Sequence, residues 1–204
     1  MGNKHDNGKW SFLGEGGYKK AYSIGDLCVK IIKNPKILSK RLRHYIELEY
    51  LEQIFAKGHS YDFIAQYHGE LIGAVFETVR NDDGKVSRSL DEILNDEKFL
   101  YENYDKILKA LVEFYNKLYN NSIMSRNSNP ENLLLKESKD GWRFVLIDDI
   151  GTTTFIHLEY YFKFLARMKT KKYFLRFINR IAKLYNSALP VKLAKDVKNI
   201  LNLC

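Results

Sequence analysis

NPENLLLKESKDGWRFVLIDDIG, residues 129–151, is the stretch on which the fold turns. It reads as the end of a polar loop, a short strand LLLK, a turn at Asp140–Gly141, and a second strand WRFVLI. That second strand runs into two adjacent acids, Asp148 and Asp149, before Gly151. Strands of buried residue types do not usually end in paired carboxylates. An Asn and an Asp on neighbouring hairpin strands, here Asn132 and one of the acids, form an oxygen donor pair. Magnesium suits such a pair, because it takes few protein oxygens and completes its shell with phosphate and water. Neighbouring residues on a strand point to opposite sides, so Asp148 and Asp149 do not share one metal. The plain structural role for the other acid is a cap, or an ion pair with Arg126.

Upstream, KWSFLGEGGYKKAYSI reads as strand, glycine turn, strand, and GDLCVKII as a third strand closed by Pro35. Gly14 and Gly16 let backbone approach a phosphate closely, and free N–H groups can cradle its charge. No Lys-Ser or Lys-Thr follows, which excludes a Walker-type loop. Lys30 lies inside the apolar third strand, where an unpaired charge is costly. The segment LSKRLRHYIELEYLEQIFAKG has helical apolar spacing and offers Glu47 or Glu49 as the partner of Lys30. FIAQYHGELIG and AVFETVR read as two more strands, NDDGK as a turn, and a short helix follows Ser89. YENYDKILKALVEFYNKLYNN is the clearest helix, with Ile107, Leu108, Leu111, Val112, Tyr115 and Leu118 on one face. After Gly151 the pattern is helical to the end, in HLEYYFKFLARM, KKYFLRFINRIAKLYN and PVKLAKDVKNILNL. The organisation is α+β, with an antiparallel-sheet lobe over residues 1–82 and a reduced, mostly helical lobe over 83–204.

Composition agrees with a folded chain. Of 204 residues, 45% are hydrophobic and 26 are Phe or Tyr, enough for a core. No run approaches the roughly 18–20 apolar residues of a membrane span. The N-terminus MGNKHDNGKW has no apolar stretch of the secretory kind. Two cysteines, Cys28 and Cys204, make no disulfide framework, and a reducing cytoplasm is expected. The net charge of +8 is uneven: from His157 onward 11 Lys and Arg face only Glu159 and Asp196. That region reads as an amphipathic surface packed on the second lobe, or as a site for an anionic partner such as a phosphorylated ligand or a membrane surface. Its aromatics fall on the apolar face, which favours packing over base stacking and speaks against nucleic acid.

The order of glycine loop, strand lysine, helix glutamate, Pro-Glu-Asn segment and Asp-x-Gly resembles the protein-kinase fold. LGEGGYKKAY, ELEYL, YHG, DDGKVSRSL, NPENLLL and IDDIG together resemble the YrbL family of PhoP-regulatory-network proteins, over roughly residues 12–155. That family is kinase-like and bacterial. The resemblance implies a two-lobed fold that binds ATP and Mg2+. Gly14 and Gly16 would cover the phosphates, Lys30 would meet the α- and β-phosphates, and Glu47 would orient Lys30, with Glu49 as the alternative. Glu77 to Val79 would face adenine as a hinge. Asn132 and Asp149 would hold magnesium, with Asp148 as the alternative ligand, since relatives can carry Asn at the second acid.

The departures from the kinase pattern bear on activity. Where kinases read His-Arg-Asp, this chain reads Ser125-Arg126-Asn127. An amide can orient a hydroxyl but cannot act as its base. Losing a general base costs ~10²–10⁴ in rate, although phosphoryl transfer is mostly positioning and electrostatics. Asn129 stands where a lysine is common, Lys19 where a third glycine is common, and no Ala-Pro-Glu segment follows Gly151. Three readings follow: an ATP-dependent phosphotransferase acting on a small molecule, lipid or protein; a pseudokinase or nucleotide-responsive regulatory protein; and a binding protein acting through its basic tail.

Overall fold

The structure, a computed structural model, describes residues 10–15, 19–33, 61–65, 67–70, 74–126, 129–148, 150 and 161–203. The helix expected over 38–58, with Glu47 and Glu49, lies outside them, as do Gly16, Asn127 and Asp149. The chain separates into two compact units: residues 1–61 with 65–78, and residues 62–64 with 79–204.

The first unit is built on strands β1 (Ser11–Glu15), β2 (Lys19–Ile24), β3 (Leu27–Ile32), β4 (Tyr67–Glu70) and β5 (Ala74–Glu77). Their order is β1-β2-β3-β5-β4, antiparallel throughout. Two residues connect β2 to β3, and Gly25 takes φ +56 there, a conformation that favours glycine in tight hairpins. The register of β1 on β2 shifts between Phe12 and Gly14. Glu15, at the end of β1, takes Lys33 at 3.3 Å and Lys20 at 3.8 Å, and so ties three strands at that end. The run FIAQYHGELIG is not one strand. Among its described residues, Tyr67–Glu70 pairs in this sheet, while Ile64 bridges Leu146 in the second unit. Phe63, Ile64 and Ala65 are all buried in succession, so no alternation marked the break.

The second unit has a three-stranded sheet, β6 (Arg88–Ser89), β7 (Leu133–Ser138) and β8 (Gly141–Leu146), in that order. Gly141 takes φ +124 in the β7–β8 turn. Around the sheet lie α1 (Leu90–Leu94), α2 (Glu97–Glu102), α3 (Tyr104–Asn120), α4 (Lys163–Leu184) and α5 (Ala188–Leu201). Ser89 starts α1 with a capping box. Its hydroxyl accepts from Glu92 N–H at 3.2 Å, and the Glu92 carboxylate accepts from Ser89 N–H at 2.6 Å. Leu90, Ile93, Leu100, Ile107, Leu111, Leu135, Leu146, Ile178, Leu193 and Val197 form a fully enclosed core. Asp62 pairs with Lys117 of α3 at 2.6 Å, and Phe63 C=O accepts from Leu146 N–H at 2.8 Å, which explains why residues 62–64 join this unit.

The C-terminal helices differ from the expectation of three. KFLARM and the following segment form one helix of 22 residues, and Tyr161 and Phe162 precede it. Two tyrosine–carboxylate bonds fix this half: Tyr104 donates to Asp196 at 2.9 Å, and Tyr185 donates to Asp91. Among the described residues, no helix is long and apolar enough to cross a membrane.

Candidate functional site

Lys30 sits at the middle of β3, opposite Ala21 on β2 and Ala74 on β5, and Gly14 of β1 is paired with Ala21. Directly opposed residues share a face of a sheet, so one row runs Gly14, Ala21, Lys30, Ala74 and, on β4, Glu70. Both direct neighbours of the lysine in that row carry only a methyl group. The lysine itself is only 9% exposed, and its Nζ lies 4.7 Å from the centre of the Phe76 ring, which stabilises a cation through its π face. Cys28, two residues earlier on the same face, is pushed up in pKa by burial, and the nearby Lys30 charge opposes that shift. The row therefore sets a buried cation between two alanines, with Gly14 at one end of the row and Glu70 at the other.

Gly14 has no structural need to be glycine. Its φ lies outside the left-handed region, and a Cβ there would meet nothing within 4 Å. Gly25, by contrast, is held by its φ. Glu77 closes β5 opposite Leu27, Thr78 N–H donates to Asp26 C=O at 2.8 Å, and Val79 is buried with its C=O accepting from Ser87 N–H at 3.0 Å. The Val79 carbonyl thus already serves the fold.

In the second unit, the loop after α3 and the end of β8 are held together at two points. Ile147 N–H donates to Asn132 C=O at 3.0 Å, and Ser125 bridges Ile150 in antiparallel fashion. Between those points lie Arg126 on one segment and Asp148 on the other. Pro130 begins a short 3-10 turn, Pro130–Asn132, where its fixed φ and missing N–H do no harm. Asn132 N–H closes that turn on Asn129 C=O at 2.9 Å. Ser125 and Arg126 are buried, at 4% and 8% exposure, while Asn132 and Asp148 are half-buried. The structure thus brings the Asn132 and Asp148 segments side by side.

One contact was not visible in the sequence. Arg180 of α4 donates from Nη1 to the Asn129 side chain, so the basic helix reaches the loop that carries Asn132. The two residues are 51 positions apart, and the sequence shows Arg180 only as one of several cations on a polar face. Thr170 fixes α4 to the start of the same loop by donating to Ile123 C=O at 3.0 Å.

Among the described residues, no group of three or more His, Cys, Asp or Glu could hold a metal ion. Asn132 and Asp148 supply one amide oxygen and one carboxylate on adjacent segments. That donor set is too small for a structural zinc or calcium site, and it suits magnesium shared with a phosphate ligand.

A family model described as the PhoP regulatory network protein YrbL matches residues 9–182. No curated protein matches the chain. The matched span covers the Lys30 strand, the Asn132 loop, the acids after β8 and most of α4.

Proposed function

The chain belongs to the PhoP regulatory network protein YrbL family, and from that premise we propose that it is a kinase-like protein that binds ATP with Mg2+ and transfers the γ-phosphoryl group to an acceptor hydroxyl. The observation that carries this reading is the double tie between the loop 125–132 and the segment 147–150. The Ile147–Asn132 bond continues the β7–β8 ladder by one rung, and the Ser125–Ile150 bridge is the added tie that brings the loop beside the acids. Such a tie suits a site that needs an amide and a carboxylate on adjacent segments.

In the first unit, Lys30 neutralises the α- and β-phosphates, with Glu47 or Glu49 orienting it. Gly14 and Gly16 let backbone approach the phosphates, and Glu77 to Val79 meet adenine. Gly14 supports this, because the fold leaves room for a side chain there. In the second unit, Asn132 with Asp149, or with Asp148, holds the metal, which when bound screens phosphate charge. Asn127 orients the acceptor hydroxyl by hydrogen bonding. In the transfer, the acceptor oxygen bonds to the γ-phosphorus, the bond from phosphorus to the β,γ-bridging oxygen breaks, and ADP leaves. The hydroxyl proton goes to solvent or to a phosphoryl oxygen, since an amide cannot take it. Turnover is accordingly slow. Arg180 acts through Asn129 as a positioning residue for the loop.

Asn127 also favours a second reading, a pseudokinase whose nucleotide occupancy regulates a partner. Both readings place the protein in the cytoplasm and give its basic helices an anionic partner. Following ADP release from ATP and Mg2+ over hours separates them. A rate above buffer that rises in Asn127→Asp supports transfer, whereas tight ATP binding with no ADP in either protein supports the pseudokinase.

A further inference from the structure

The solvent face of α4 carries an ordered ladder. Phe164, Met168, Lys172, Arg176 and Arg180 follow one another at four-residue steps, and all five are exposed. Residues four apart lie nearly above one another on a helix. Phe164 is 71% exposed and Met168 is 55%, and the preceding Tyr161 and Phe162 are 83% and 57%. One end of the helix surface therefore carries four large apolar side chains around Lys163, and the stripe beyond them, Lys172, Arg176 and Arg180, is cationic. The buried face is separate and complete, with Ala166, Thr170, Tyr173, Phe174, Phe177, Ile178 and Ile181 in the core. The exposed aromatics are thus not needed for packing.

The cations beside them are available. Among the described residues, Lys163, Lys172, Arg176 and Lys183 make no salt bridge or side-chain hydrogen bond. From 161 to 203 the sole acid is Asp196, and Tyr104 already donates to it. Among the described residues of α4 itself there is no acid to repel an anion.

We propose that α4 docks the protein on an anionic lipid bilayer, with Tyr161, Phe162, Phe164 and Met168 entering the acyl boundary and Lys172, Arg176 and Lys183 resting on the headgroups. This deepens the reading of the basic helices as an anion-binding surface and does not rest on nucleotide binding. The charge fits: an unpaired cationic line meets a surface of fixed negative charge. The apolar end fits only a bilayer among anionic partners. A bilayer offers hydrocarbon just below its charges, and long basic side chains reach back to the headgroups. Single-stranded nucleic acid calls for aromatics interleaved with cations along a groove, whereas here only Lys163 lies among the aromatics and Lys172, Arg176 and Lys183 follow beyond them. A protein partner calls for an apolar centre ringed by polar groups, and the cations here lie to one side.

The test is co-sedimentation of the full chain with sucrose-loaded vesicles of phosphatidylcholine, with and without 30% phosphatidylglycerol. Binding to the anionic vesicles alone is expected. Each cation near such a surface contributes about fivefold in partitioning, so Lys172→Ala/Arg176→Ala loses roughly 25-fold. Phe164→Ser/Met168→Ser keeps every charge and loses roughly tenfold or more, from the apolar area withdrawn from the membrane. Both pairs are exposed, and an unchanged circular dichroism spectrum establishes that each variant is folded. Equal binding to both vesicle types overturns the proposal, as does no binding to either. Anionic binding that Phe164→Ser/Met168→Ser leaves intact also overturns it and leaves only a general anion surface, which soluble heparin would then occupy equally well.

Discussion

The two antiparallel sheets of this protein are buried to different depths. In the five-stranded sheet, β1 is largely exposed, with Phe12 58% exposed and Leu13 37%. In the three-stranded sheet, Leu133, Leu135, Phe144, Val145 and Leu146 are all within 2% of full burial. Each sheet presents residues for chemistry, but on different terms. Asn132 and Asp148 adjoin strands locked into the core of their unit, so the geometry between them comes from packing. Lys30 belongs to a sheet whose first strand is largely exposed, and it is flanked there by two alanines. A change in the second sheet should therefore register first as lost stability, and a change in the first as lost binding.

The largest effect expected from this contrast is in the second unit. Leu135→Ala should cost about 2–5 kcal/mol, the range for removing a fully enclosed leucine. Phe12→Ala should cost less than about 1 kcal/mol, because most of that ring already meets water. Urea denaturation of both variants measures the difference. Equal costs would show that the first sheet packs as tightly as the second.

Next comes Lys30→Ala. If a charge-assisted bond to phosphate is lost, ATP affinity falls by about 1.5–3 kcal/mol, more than tenfold. Stability should fall as well, because the proposed partner, Glu47 or Glu49, is left without its cation. A loss of stability with unchanged affinity would make Lys30 a structural residue and erase the contrast.

Gly14→Ala is a subtler probe. No described atom opposes a methyl group there, so the melting temperature should hold while ATP affinity drops by roughly 1 kcal/mol. A lower melting temperature at unchanged affinity would show that the glycine serves the fold.

The smallest effect sharpens the second unit. Burial, and then the bond to Asp196, hold the Tyr104 phenol above its usual pKa of 10.0. A raised folded-state pKa gives stability that is complete below pH 10 and fades as pH climbs through the folded value. Tyr104→Phe should therefore cost about 1 kcal/mol at neutral pH, with the gap to the natural protein narrowing above pH 10. No gap at neutral pH would show that packing of the ring, which phenylalanine keeps, and not the hydrogen bond, is what α5 needs.

Much of this architecture is legible in the chain because local chemistry and tertiary packing agree. The start of α1 is written in Ser89 and Glu92, three residues apart, and α3 in its repeating apolar face. The β7–β8 hairpin follows from Asp140–Gly141 between two apolar runs. Elements without a period were not legible. Arg88–Ser89 is a strand of two residues, too short to alternate. Phe63, Ile64 and Ala65 are buried in succession, and the allegiance of Asp62–Ile64 to the second unit comes from Lys117 and Leu146, far along the chain. The candidate site divides in the same way. Lys30, Asn132 and Asp148 stand out because a charge in an apolar strand and acids behind one are unusual. The contact of Arg180 with Asn129 does not stand out, because arginine on the polar face of a helix is ordinary. The exposed end of α4 was hidden as well, since Phe164 and Met168 keep helical spacing and only the fold shows them facing water.

The central claim, that the chain holds ATP through Lys30 and through magnesium on the Asn132 loop, is tested most directly by calorimetric titration with ATP in the presence and absence of magnesium. The account predicts saturable binding that magnesium strengthens, with that strengthening abolished in Asp149→Asn, or in Asp148→Asn if the first acid is the ligand. Absence of binding in both conditions, or binding to which magnesium and both acids are indifferent, would contradict it.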